Sequence, residues 1–296
     1  MGNNAMHLLR SILLAAAFAC AGAAHAEGDD AASAKAFVDS LKFQTGTVTV
    51  PAAHATLKLT PEYRYIGAAD AQRVLEMWGN PPDDDVLGML LPQGEQSILS
   101  SKTWVVVLTH VDEGHVSDKE AASTDYDKML KDMQEEARDA NPAREKAGYD
   151  RVDIVGWAER PHYDQASNKI YWAKELKFGG NSENTLNYDI RVLGRTGYLS
   201  LNAVAPASQL ATVQAGMQGV LAMTEFDPGN RYADFNASTD KVAAYGIAAL
   251  VGGALAAKAG LFAKLLALLI AGKKLVGVAV IGVIAAIGKF FKRSKE

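Results

Sequence analysis

Four residues with metal-ligand side chains fall close together in HVDEGH: His110, Asp112, Glu113 and His115. Imidazole and carboxylate groups hold zinc or manganese, and a turn at the end of a strand can converge them. On that reading His110, Asp112 and His115 would form a metal centre for assisted hydrolysis in the cell envelope. The spacing argues the other way. There is no HExxH pattern and no supporting cysteine, so a polar hairpin turn is the simpler account. A second constellation lies in LNYDIRVLGR. Strand alternation puts Asn187, Asp189 and Arg191 on one face and Tyr188, Ile190 and Val192 on the other, with Arg195 following at the turn. An ordinary half-buried strand would leave that polar face in water with a structural Asp–Arg pair. A cleft wall would use Arg191 or Arg195 to grip a carboxylate or a partner's loop.

Other familiar patterns are weak or missing. Asp83, Asp84 and Asp85 lack calcium-loop spacing and read as a solvated loop. Ser238 and Lys241 match Ser-x-x-Lys, but the companion motifs of serine acyl enzymes are not evident, and a helix cap suits the position better. No Gly-x-Ser-x-Gly, phosphate-binding loop or dinucleotide fingerprint is present, and no cofactor is expected.

The elements that would position these residues are legible from periodicity. GTVTV and ATLKLTPEYRYIG are β-rich and suggest a hairpin near the N-terminus. Ala71, Val74, Leu75 and Trp78 share one face of a short helix ended by Gly79 and Pro81-Pro82. VLGMLLP and TWVVVLTHV read as central strands. A longer helix over 125–140 follows, stopping before Pro142. Four strand-like runs come next, YDRVDIVGWAE, KIYWAKELKF, LNYDIRVLG and GYLSLNAVA, and a helix over 208–224 closes the domain, slightly weakened by Gly216 and Gly219. The order predicts one α+β domain with a mainly antiparallel sheet covered by two or three helices, followed by a C-terminal helical membrane anchor. At the level of topology this is similar to the PsbP-like and Mog-like folds.

Both ends of the chain point to a membrane. Arg10, the apolar stretch 11–24 and Ala24-His25-Ala26 have the layout of a secretory signal peptide over 1–26, with a permanent anchor or lipidation at Cys20 as the rivals. Cleavage after Ala26 leaves a chain without cysteine, which excludes thiolate catalysis and Cys-ligated metal. A leader over 27–40 without decided structure and an extracytoplasmic domain over 41–240 follow. Residues 241–296 read as the anchor: 243–263 and 275–291 are apolar runs punctuated by Lys258, Lys264, Lys273, Lys274 and Lys289, and the count of spans, one or two, stays open. Ser238 or Thr239 would cap the helix starting near Asp240, and a chain ending at Asp240 should be secreted as a soluble domain. Phe226, Tyr232, Phe235 and Tyr245 fit either the membrane interface or the domain surface. Charge divides the same way. Residues 27–240 carry 20 Lys+Arg against 33 Asp+Glu, a net of −13, and 241–296 carry 9 against 1, a net of +8. An acidic domain repels phosphate backbones, so nucleic acid is excluded as a partner. The expected partners are the lipid bilayer, through the tail, and an envelope protein.

WGNPP, VGWAERPHYD, WAKEL, LNYDIRVLGRTGYLSLN and RYADFNASTDKVAAYG, in this order between a signal-like start and a lysine-punctuated apolar tail, resemble the bacterial DUF2167 family of predicted membrane-anchored proteins. The resemblance covers most of the chain after residue 40. It implies a single domain on the periplasmic side of the inner membrane, tethered by its C-terminus. It carries over no catalytic residues. The functional expectation is a tethered extracytoplasmic binding or scaffold module rather than an enzyme, with the metal-assisted hydrolase as its rival.

Overall fold

The computed structural model describes residues 27–252, apart from 79, 81, 95–97, 99–102 and 147–149. The signal peptide expected over 1–26, and residues 253–296 of the expected anchor, lie outside the described residues.

The centre is an eight-stranded sheet in the order β1-β4-β5-β6-β11-β10-β9-β8. Its strands are β1 (Phe43–Gln44), β4 (Tyr63–Gly67), β5 (Val86–Pro92), β6 (Val105–Val111), β8 (Val152–Asp164), β9 (Lys169–Phe178), β10 (Thr185–Leu193) and β11 (Tyr198–Pro206). All seven pairings are antiparallel, as the succession of strands and turns predicts. β2 (Thr47–Val50) and β3 (Ala55–Lys58) form the expected hairpin and are joined by β12 (Thr224–Phe226) in a separate three-stranded sheet.

Side-chain alternation divides the large sheet into two covered faces. On one, Val106, Leu108, Tyr188, Ile190, Leu199 and Leu201 meet the small sheet and Val213, Met217 and Val220 of α4 (Leu210–Met223). On the other, Met89, Leu91, Val105 and Val107 meet Ala71, Val74 and Leu75 of α2 (Ala68–Met77), while Ile170, Trp172 and Tyr198 join a third cluster with Tyr126 and Met129 of α3 (Tyr126–Lys146). The two helices expected over the sheet therefore lie on opposite faces. Gly216 does more than weaken α4. A Cβ there would lie 2.5 Å from the Trp104 ring, so glycine lets Trp104 approach the helix, and the Tyr63 hydroxyl donates to the Gly216 carbonyl at 2.8 Å.

Four expectations are corrected. The leader is helical over α1 (Glu27–Asp39), where Phe37 and Val38 pack on the α2 side of the sheet. α3 runs through Pro142 to Lys146. Proline costs that helix a hydrogen bond, but Asn141 beside it is buried and ties the last turns to the sheet edge. Its Oδ1 accepts from the Val152 N–H at 2.8 Å and its Nδ2 donates to the Val152 carbonyl at 3.1 Å. Gln134 caps the Ile154 carbonyl in the same way, so α3 satisfies part of an edge that would otherwise stand open. Third, β10 is buried at all nine positions because helices and strands cover both faces, so its polar side is not solvated. Fourth, the segment after Asp240 begins as β13 (Val242–Gly246), parallel to β7 (His115–Ser117), and continues as α5 (Ile247–Gly252). Residues 242–252 thus belong to the folded domain, and a span over 243–263 loses its first half.

Candidate functional site

Asn187, Asp189 and Arg191 stand on one side of β10, as alternation requires, and neighbouring strands complete a polar stripe around them. Asp189 faces Asn202 of β11 and Trp172 of β9 across the ladder, and Arg191 faces Ser200. The Arg191 Nη1 lies 3.0 Å from Asp189 Oδ1, and Lys174 Nζ lies 3.6 Å from Oδ2. Asn202 donates to Asp189 at 2.8 Å and accepts from Asn187 at 3.2 Å. The Arg191 guanidinium sits 5.1 Å from the Trp172 ring centroid and 5.9 Å from that of Tyr198, within cation–π range. Asp189 is 3% exposed and Arg191 5%, so this is a buried ionic group and not a surface pair. Among the described residues the buried Trp172 indole N–H has no hydrogen-bond partner, an uncommon state for a polar atom.

Arg195 belongs to a different place. The bend after β10 aims it at the segment that follows β12, where its Nε and Nη2 grip both oxygens of Asp240 at 2.7 and 2.9 Å and its Nη1 donates to the Gly229 carbonyl. This fork holds the Asp240 carboxyl well below the usual carboxylate range. His115 completes the clamp, stacked between Phe235 at 3.9 Å and Tyr232 at 4.3 Å. Its Nδ1 lies 3.3 Å from the Arg195 carbonyl, which only accepts, so the neutral ring carries its proton on Nδ1. Tyr232 donates to the Val116 carbonyl, and burial pushes its phenol up to about 12. Tyr245 of β13 donates to Glu113 at 2.7 Å.

The His110/Asp112/His115 cluster is therefore not assembled. His110 shares the face of Val106 and Leu108, with its ring 6.3 Å from Phe226, whereas His115 is committed to the aromatic stack. Among the described residues no three His, Cys, Asp or Glu side chains converge on a metal position. Ser238 and Thr239 cap no helix. Ser238 donates to Asn236 and Thr239 to Asp240 in a turn that leads into β13. Phe226, Tyr232, Phe235 and Tyr245 all pack against the domain. Lys174, Asn202 and Trp172 escaped the sequence reading. The polar Ser200 and Asn202 within the apolar run YLSLNAVA were the available signal.

The clamp makes a pH prediction. Burial lowers the His115 pKa, against the opposing pull of the Arg195 carbonyl and the Asp118 and Asp240 carboxylates. The unfolded chain then binds the extra proton. Neutral His115 contributes stability that is full above about pH 6.5 and declines as pH falls below it. Asp240 is depressed, so its contribution persists until about pH 4 and is lost only below. Once the intrinsic base-catalysed fall in exchange rate is divided out, amide protection at Val242–Gly246 should drop between pH 7 and pH 5, and His115→Phe should flatten that profile. An unchanged profile in the variant would assign the effect elsewhere.

The architecture is that of an α+β protein built on a large antiparallel sheet with several helices, and it carries a buried polar stripe and an Arg195–Asp240 clamp. The chain belongs to the family described as Protein of unknown function (DUF2167), whose model matches residues 42–292. No curated protein matches it. Among solved structures it is similar to the solution structure of cyanobacterial PsbP from Synechocystis sp. PCC 6803, at 8% identity over 70% of this chain and 99% of that one, with a TM-score of 0.34. It is likewise similar to the Ran-binding protein Mog1p of Saccharomyces cerevisiae, at 11% identity over 67% of this chain and 100% of that one, with a TM-score of 0.33.

Proposed function

We propose that the chain is an extracytoplasmic binding or scaffold module tethered to the bacterial inner membrane by its C-terminal segment, and that the β9–β11 stripe is where it binds. The stripe carries this reading. A buried cation, a carboxylate and two amides, with the half-buried Lys174 beside them, in the middle of a sheet are not what stability alone calls for, since apolar residues of similar volume serve as well or better. The group also presents more donors than acceptors, with the Trp172 N–H left over. Such a stripe suits a carboxylate or a carbonyl-rich partner loop held by Arg191. The signal-like N-terminus, the acidic domain and the basic, apolar tail support the location. Among the described residues no helix is long and apolar enough to cross a membrane, so the tether falls to residues 253–296.

Thermal unfolding of the detergent-solubilised full chain with acetate, succinate or glutamate tests the binding reading. At least one carboxylate should raise the midpoint, and Arg191→Met should abolish that rise. No response to any of them, or a rise that survives the substitution, would remove the stripe as the binding site.

A further inference from the structure

We infer that the strap from Asp240 to Gly252 is a releasable cover over the Asp189–Arg191 stripe, so that access to the stripe is governed by the segment leading into the C-terminal tail. This rests on the stripe being the binding site, but its physical basis is independent of any ligand. The apolar side chains of the strap, Tyr245, Ile247, Leu250 and Val251, share one core with Trp172 and Tyr198. Those two rings flank Arg191. Lifting the strap uncovers the rings first and the guanidinium behind them.

The attachment lets the strap open as a unit separate from the eight-stranded sheet, at a cost set mainly by the burial of Ile247, Leu250 and Val251. Among the described residues β13 pairs with β7 alone, in parallel, at Val242–His115 and Gly246–Ser117, with an irregularity between. A two-stranded ribbon is marginal without further support. That support comes from the apolar core the strap shares with Trp172 and Tyr198, and from polar contacts that fix its register: the Arg195 fork on Asp240, the Tyr245 hydroxyl on Glu113, and Glu120 accepting from the Ala248 N–H at 3.3 Å. Each can break without touching a ladder of the eight-stranded sheet. The strap also lies flush on its seat. Gly114 has φ of +110°, and a Cβ there would come within 2.8 Å of Ala243 N and the Lys241 carbonyl. The closed state leaves the Trp172 N–H without a partner, a cost that opening relieves.

The test uses the full chain in detergent micelles, without ligand, so it is decided separately from the carboxylate experiment. Cys20 is the only cysteine in the sequence. In a Cys20→Ser background, Ser200→Cys places a thiol opposite Arg191, at a position 6% exposed. Asp240→Asn should speed maleimide labelling of that thiol by about tenfold or more. Hydrogen exchange should rise at Val242–Gly252 while the β10 and β11 amides keep their protection. Tyr245→Phe, which removes the hydroxyl bonded to Glu113 and to Tyr198, should act in the same direction. Strap and sheet amides opening together, strap amides opening with no change in labelling, or neither variant loosening the strap would each overturn the inference.

Discussion

A chain cut after Asp240 should be recovered aggregated or degraded, whereas one cut after Gly252 should fold and stay in solution. The first cut removes β13 and α5, and with them Ile247, Leu250 and Val251, which are 0%, 6% and 3% exposed. Burying three such side chains is worth roughly 5–9 kcal/mol at most, comparable with the entire net stability of many domains. Their removal also bares Trp172, Tyr198 and Val116 to water, and leaves Arg195 to grip an Asp240 that no longer leads into a strand. The check is the soluble yield of the two truncations and their urea midpoints. Equal midpoints would show that residues 241–252 are an appendage and not part of the core.

Asp189→Ala should be the most damaging single change in the stripe. It leaves Arg191 buried without its carboxylate, strips the half-buried Lys174 of the same partner, and takes an acceptor from Asn202. Breaking one partner out of a buried ionic group costs about 3–5 kcal/mol. The matching control is the triple change Asp189→Leu, Arg191→Met and Lys174→Met, which should restore much of the lost stability because no buried charge remains. Urea unfolding of both variants gives the comparison. An Asp189→Ala midpoint close to that of the parent chain would mean that water reaches the stripe and that its charges are not buried as described.

What was legible in the sequence was local. Ala71, Val74 and Leu75 at helical spacing, the alternation in LNYDIRVLG and the turn-separated strands after Pro142 are periodic signals, and they yielded the helices, the strands and the antiparallel pairing. Burial on both faces of β10 was not legible, because it depends on which elements lie above and below the strand. The separation of Arg195 from Arg191 has the same cause. Four residues apart in sequence, they serve different groups because the chain bends at Gly194, and the partner of Arg195 lies 45 residues downstream. The tail misled for a different reason. AYGIAALVGG is as apolar as a membrane helix, and hydropathy does not tell a core strand and short helix from the start of a span. Its burial against Trp172 and Tyr198 makes that distinction.

The claim that the domain stands outside the cytoplasm, held by its C-terminal segment, is tested most directly by protease accessibility in intact spheroplasts expressing the full chain. Added protease should degrade the domain without lysis, and the undigested protein should sediment with membranes after a high-salt wash, since apolar insertion is not screened as a basic-patch contact is. A domain that resists protease until the cells are broken, or that salt alone releases, would contradict it.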